Sequence, residues 1–200
     1  MYMPTSTPIT LPMSPNPVMV VCDTMNLFLS AERNLKFHDR SLIAPVVADM
    51  VRSLGGIDAY AFLDAGQERP EVRQSIVNSG FTIMDCPDHE QGLYRKSSVD
   101  PAIIFFLAKL ACQRKPATLV LGSGDRDFLL PATELRNSGW RVVLLGVKDC
   151  ISRDLLRVCD DFLPLTLSSF PLSRPEPSTT APTPPEQDPQ QGPSASSHSF

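Results

Sequence analysis

The chain predicts an α/β protein of three layers, a mainly parallel sheet covered by helices on both faces, and three observations carry that prediction. Six short runs rich in Val, Ile, Leu and Phe recur between residues 18 and 165 with little polar alternation, as in strands buried on both faces. Stretches of helical length separate them, and a helix between two strands makes a right-handed crossover to a parallel neighbour. Gly80 and Gly139 fall where two of those helices must stop and the next strands begin.

The first strand is Val18 to Asp23, followed by helices around Asn26 to Leu35 and Leu42 to Leu54. Ile57 to Asp64 is the second strand, Glu71 to Ser79 the next helix, and Phe81 to Cys86 the third strand. Pro87 to Val99 has no clear period and leads to Asp100-Pro101, the pattern of a helix N-cap followed by proline at the first helical position. A helix over Pro101 to Arg114 then feeds the fourth strand, Ala117 to Gly122. Phe128 to Ser138 and Arg153 to Val158 are the last helices, and Trp140 to Gly146 and Asp161 to Leu165 the last strands. No internal repeat is present.

Two hundred residues, 42% of them apolar, can furnish one core. Of the 20 prolines, five lie in residues 1–17 and eight in 166–200, so the folded unit is expected at 18–165. The segment 166–200, a Pro, Ser and Gln mixture, cannot offset its ordering entropy by burial and is expected to be a disordered tail. Residues 1–17 hold no Lys or Arg and are broken by prolines, which denies them the pattern of a signal peptide and makes them a disordered extension. The most apolar stretch, Pro101 to Leu107, is far shorter than the ~20 residues a membrane span needs. A net charge of −4 gives no global basic field, so a nucleic-acid partner would require a local patch. The five cysteines are odd in number and mostly sit in apolar runs, as reduced thiols of a cytoplasmic protein do. With no C-x-x-C pair and three isolated histidines, the chain offers no zinc site.

Ligands of an open parallel sheet collect beyond the carboxyl ends of its strands, and here those ends are acidic. Asp23 closes the first strand in a D-x-x-N pattern with Asn26, where a helix cap is the alternative reading. Asp100 is also a cap by pattern, although a carboxylate has an oxygen to spare for a second partner. Ser123-Gly124-Asp125-Arg126-Asp127-Phe128 follows the fourth strand, and one helix start does not call for two acids. Arg126 between them offers the competing explanation, a cation that neutralises the pair. Two carboxylates about 5 Å apart repel by ~3 kcal/mol at an effective dielectric near 20. Divalent cations offset such repulsion, and oxygen-only ligands favour Mg²⁺ or Mn²⁺ over zinc.

D-x-x-N at 23–26, Lys-x-x-Val-Asp at 96–100, Ser-Gly-Asp-x-Asp-Phe at 123–128 and Cys-Asp-x-Phe at 159–162 stand in the order found in NYN domains. The chain resembles that family, the LabA-like branch of the PIN-like nucleases, over residues 18–165. The resemblance implies a PIN-like (Rossmannoid) fold and a metal-dependent ribonuclease with Asp23, Asp100, Asp125 and Asp127 as catalytic and metal-binding acids. Asn26 and Ser123 match neighbouring motif positions that orient ligands or substrate. One departure is visible: Ser97 and Ser98 fill the spacer where a tighter Lys-Gly-x-Asp link is expected.

Such a site hydrolyses phosphodiesters by activating water and stabilising charge on the phosphoryl oxygens. Arg69, Arg73, Arg95, Lys96 and Arg126 are the cations available to bind single-stranded RNA, with Lys148 beside them and Tyr94 able to stack on a base. Homo-oligomerisation, and a protein partner for the proline-rich tail, are both open to this chain. A catalytically silent RNA-binding or regulatory module on the same fold is the serious alternative. A haloacid-type phosphatase needs an aspartate where Met25 stands, and a receiver module leaves Asp125 and Asp127 unexplained. In a dinucleotide motif begun at Gly122, Asp127 would occupy the place of the third glycine.

Overall fold

Every residue of Val18–Asp23 is buried, and alternate side chains enter different cores. Val18, Val20 and Cys22 join one apolar cluster and Met19 and Val21 the other, so this strand, β1, is the middle of three layers. The structure is a computed structural model that describes residues 18–171 except 56, 88, 92, 93, 114 and 116, and describes 57, 89–91, 94–96 and 113 by backbone alone. The expected extension at 1–17, and residues 172–200 of the tail expected at 166–200, lie outside the described residues.

After β1 come α1 (Thr24–Ser30) and α2 (Ile43–Arg52), then β2 (Ile57–Asp64), α3 (Pro70–Asn78) and β3 (Phe81–Cys86). Two three-residue strands, β4 (His89–Gln91) and β5 (Tyr94–Lys96), precede α4 (Val99–Gln113). The chain continues through β6 (Thr118–Gly122), α5 (Leu129–Asn137), β7 (Arg141–Gly146), α6 (Arg153–Val158) and β8 (Asp161–Pro164). Six strands form one parallel sheet in the order β3-β2-β1-β6-β7-β8.

The chain winds outward from β1 through β2 to β3, returns to the other side of β1 as β6, and winds outward again. Right-handed crossovers then put helices on opposite faces for the two halves. Buried residues of α1, α2 and α3 form one cluster, including Phe28, Val47 and Ile76. Those of α4, α5 and α6 form the second, including Ile103, Ala132 and Leu155. Each fully buried Phe or Leu in these layers contributes roughly 1.5–3 kcal/mol of transfer free energy. The expected α/β/α architecture, with its PIN-like topology, is therefore the observed one. Gly80 and Gly139 end α3 and α5 with φ of +88° and +87°, the left-handed conformation that glycine adopts without strain.

Three local expectations are corrected. Pro87 to Val99 is not an irregular crossover but holds the β4–β5 antiparallel hairpin, whose strands are too short to leave a periodic signal. Helix α4 begins at Val99, so Asp100 sits in its first turn and Pro101 is its third residue. The start moved because Ser97 Oγ accepts the Val99 amide at 3.2 Å and Ser98 C=O accepts the Ala102 amide at 3.0 Å. At the other end, order runs past residue 165. Thr166 and Ser169 form a reciprocal cap, and Phe170, 4% exposed, stacks on Phe37 with ring centroids 3.8 Å apart.

That aromatic pair makes a prediction about the domain boundary. A chain ending at Leu165 is expected to be less stable than one ending at Pro171 by roughly 3 kcal/mol, the scale of losing a buried Phe, as read by urea denaturation. Equal midpoints would show that Phe170 contributes nothing to the core.

Candidate active site

The order of the sheet reverses between β1 and β6, and parallel pairing in the register Cys22↔Gly122 sets Asp23 beside Ser123 at the carboxyl edge. A Cβ on Gly122 would lie 2.7 Å from Cys22 Sγ, so glycine leaves the space that the Cys22 side chain fills. A Cβ on Gly124 would run into the Cys150 carbonyl oxygen. Its φ is not in the left-handed region, so Gly124 is needed for space and not, as its place in the motif suggests, for backbone freedom.

A chain of hydrogen bonds builds the edge from these positions. Asp23 caps α1: Oδ1 accepts the Asn26 amide at 3.0 Å, and Oδ2 accepts the Ser123 hydroxyl at 3.3 Å. Asn26 Oδ1 accepts the Gly124 amide at 3.1 Å, and Ser123 Oγ accepts the Asp125 amide at 3.2 Å. Asp125 Oδ1 accepts the Asp127 amide at 3.0 Å and caps a 3₁₀ turn over Arg126–Phe128. Fully buried Phe128 anchors that turn beneath the edge. Asn26 and Ser123 thus hold the loop that carries Asp125 and Asp127.

Asp23 is 5% exposed, and burial pushes its carboxyl from the ordinary 3.8 up to about 6, with the charges of Asp100 and Asp125 adding to the rise. The bonds from Asn26 and Ser123 pull the other way. Burial also raises Asp100, followed by the charges of Asp125, Asp127 and Asp64. Asp100 therefore lies within electrostatic range of Asp23, Asp125 and Asp127. A fifth, Asp64, was read only as a strand end; it is 7% exposed and accepts the Ser97 hydroxyl at 2.6 Å. Its signal was available: β2, like β1, is an apolar run that ends in aspartate.

Arg126 does not bridge the pair it stands between. It is 73% exposed and reaches Asp154 at 3.3 Å, which leaves the negative charge of Asp125 and Asp127 unneutralised by it. Arg73 makes a two-pronged bond to Asp85 at 2.7 and 2.8 Å and holds that carboxyl below its ordinary value. Arg69 and Lys148 are exposed on the carboxyl edge, before α3 and after β7. The side chains of Arg95, Lys96 and Tyr94 lie outside the described residues; their backbone forms β5.

Among the described residues, no three His, Cys, Asp or Glu side chains converge closely enough to share one ion as they stand. Asp23 and Asp125 are each turned toward the amides they cap, and like charges separate where they can. The donor set is nevertheless that of a hard divalent cation: carboxylate oxygens, two of them on groups whose pKa burial and neighbouring charge raise.

The family model of the NYN domain matches residues 17–167. The chain belongs to the NYN domain family. This NYN domain falls in the PIN-like nuclease superfamily, whose NYN nucleases generally depend on divalent metal and whose domain is associated with RNA binding. A crystal structure of a protein of unknown function from Vibrio parahaemolyticus is similar in fold, with a TM-score of 0.67 and 19% identity over 78% of this chain and 95% of that one. The MAR1 ribonuclease of Caenorhabditis elegans aligns at 16% identity over 77% of this chain and 78% of its own, with a TM-score of 0.38, too loosely to carry an argument. No curated protein matches the chain.

Two predictions follow from the NYN edge. Because folded Asp23 keeps its proton to about pH 6 and an unfolded aspartate only to about 3.8, stability in EDTA should fall as pH rises through that window. The loss is on the order of 2–3 kcal/mol, and Asp23→Asn should abolish most of it while remaining at least as stable at pH 7.5 in chemical denaturation. A flat wild-type profile would contradict the burial of an ionisable Asp23. Gly124→Ala should lower the thermal midpoint, with a loss of roughly 1–3 kcal/mol, because the added methyl meets backbone that cannot rotate away.

Proposed function

We propose that this NYN domain, of the LabA-like branch, is a metal-dependent endoribonuclease that hydrolyses phosphodiester bonds of single-stranded RNA in the cytoplasm. The observation that carries the proposal is the group of acids at the switch point, coupled through their charges and left uncompensated by Arg126. Asp23, Asp100, Asp125 and Asp127 would hold Mg²⁺ or Mn²⁺. The bound cation would supply an activated water near neutral pH and positive charge against the phosphoryl oxygens.

The protein's own groups do the rest. Asn26 and Ser123 fix the Asp125–Asp127 loop through the Gly124 and Asp125 amides. Arg69 and Arg126, both exposed on this edge, would bind the RNA backbone, where guanidinium groups suit phosphate, and Arg95 and Lys96 would add further phosphate contacts. Arg73 contributes through Asp85, as part of a pair with little net charge. All five cysteines are unpaired, in keeping with a reducing compartment. Among the described residues, no helix is long and apolar enough to cross a membrane.

The test is a Mn²⁺-supplemented cleavage assay on single-stranded, structured and transfer RNAs. Wild-type protein should cut single-stranded RNA internally. Asp125→Asn should lose at least roughly 100-fold in rate while melting no lower than wild type in EDTA. Cleavage retained by Asp125→Asn, or RNA bound without cleavage by the wild type, would replace the nuclease with a silent binding module.

A further inference from the structure

The two serines that depart from the expected link before Asp100 have a defined place in the fold. Ser97 Oγ donates to Asp64 Oδ1 at 2.6 Å and accepts the Val99 amide at 3.2 Å. Ser98 Oγ donates to the Pro87 carbonyl at 2.6 Å, across the neck of the β4–β5 hairpin. A hydroxyl has one proton and two lone pairs, so Ser97 can serve the carboxylate and the helix amide at once. A serine donating to a carboxylate at this distance forms a strong, charge-assisted bond.

The elements so joined are the ones the site depends on. Asp64 is fixed at the end of β2, inside the sheet. Val99 is the first residue of α4, and Asp100 is the next. Asp100, which feels the charges of Asp125 and Asp127, is therefore carried by a helix start whose leading amide is tied, through one hydroxyl, to the end of β2. Neither alanine nor glycine at 97 could make that tie. Ser98 does a different task, since its bond closes the hairpin and does not reach the acids.

We propose that Ser97 is a positioning residue that holds Asp100 in register with the other acids by linking Asp64 to the first turn of α4. This rests on the nuclease reading above. Ser97 touches neither substrate nor cation in this role; it acts through Asp64 and the Val99 amide.

The test compares wild type with Ser97→Ala, Ser97→Thr and Ser98→Ala by three readouts: Mn²⁺ affinity by calorimetry, steady-state RNA cleavage, and amide hydrogen exchange over residues 97–102. Ser97→Ala should weaken Mn²⁺ binding about 10-fold, the scale for partners that orient ligands. It should lower kcat by about 10-fold with KM within about 2-fold, because the loss falls on a reacting group and not on RNA contacts. Exchange at the start of α4 should speed up while the sheet stays protected. Ser97→Thr, which keeps the hydroxyl, should restore all three to within about 3-fold, and Ser98→Ala should raise KM with kcat retained. A wild type that binds Mn²⁺ and cleaves RNA, beside an indistinguishable Ser97→Ala or an equally impaired Ser97→Thr, overturns the positioning role alone. A wild type that does neither overturns the nuclease reading and the positioning role with it.

Discussion

The parallel pairing of β1 with β6 is the constraint on which the rest of the molecule depends. These strands are neighbours in space but some 100 residues apart in sequence, and their register decides which side chains stand together at the carboxyl edge. Gly122 makes room for the Cys22 side chain, and the next step of the ladder brings Ser123 to Asp23. Strand order reverses there, and in open sheets of this kind that is where ligands bind. Shifting this pairing by one residue would turn Asp23 and the buried faces of both strands the wrong way.

Among the described residues, Arg126 does not neutralise the acids of that edge. Each loop acid that caps a turn does so with one oxygen, and Arg126, the nearest cation in sequence, is drawn outward to Asp154. Arg73 and Asp85, by contrast, form a closed pair at the end of β3. The edge thus has a negative centre with Arg69, Arg126 and Lys148 exposed around it, the distribution of charge on which the proposed cation and RNA sites rest. The fold tolerates the repulsion because the two cores on either side of the sheet stabilise it by far more than the buried carboxylates cost.

Most of the fold was legible because strands buried on both faces leave long apolar runs, and glycines mark the ends of α3 and α5. The acids were expected because Asp23, Asp125 and Asp127 follow those runs and, with Asp100 at the head of a helix, stand in the order of the NYN motifs. What was hidden depends on contacts between distant segments. The β4–β5 hairpin is too short for a period, and the anchoring of Phe170 requires Phe37, which no local pattern joins to it. Gly124 resembles a turn glycine until Cys150 is seen against it. Asp64 could be read as an acidic strand end, but nothing local joins it to Ser97, and only the fold brings that strand end to the root of a helix 33 positions away.

Whether the acid edge is a cation site is the question on which the functional reading stands, and diffraction answers it most directly. Anomalous scattering from crystals of the metal-free protein soaked in Mn²⁺ should give a peak among Asp23, Asp100, Asp125 and Asp127, with carboxylate oxygens turned inward to about 2.1–2.2 Å. The same crystals soaked in Mn²⁺ after Asp125→Asn should lose that peak. A wild-type map with no anomalous density at the edge, and Arg126 folded back between Asp125 and Asp127, would contradict it.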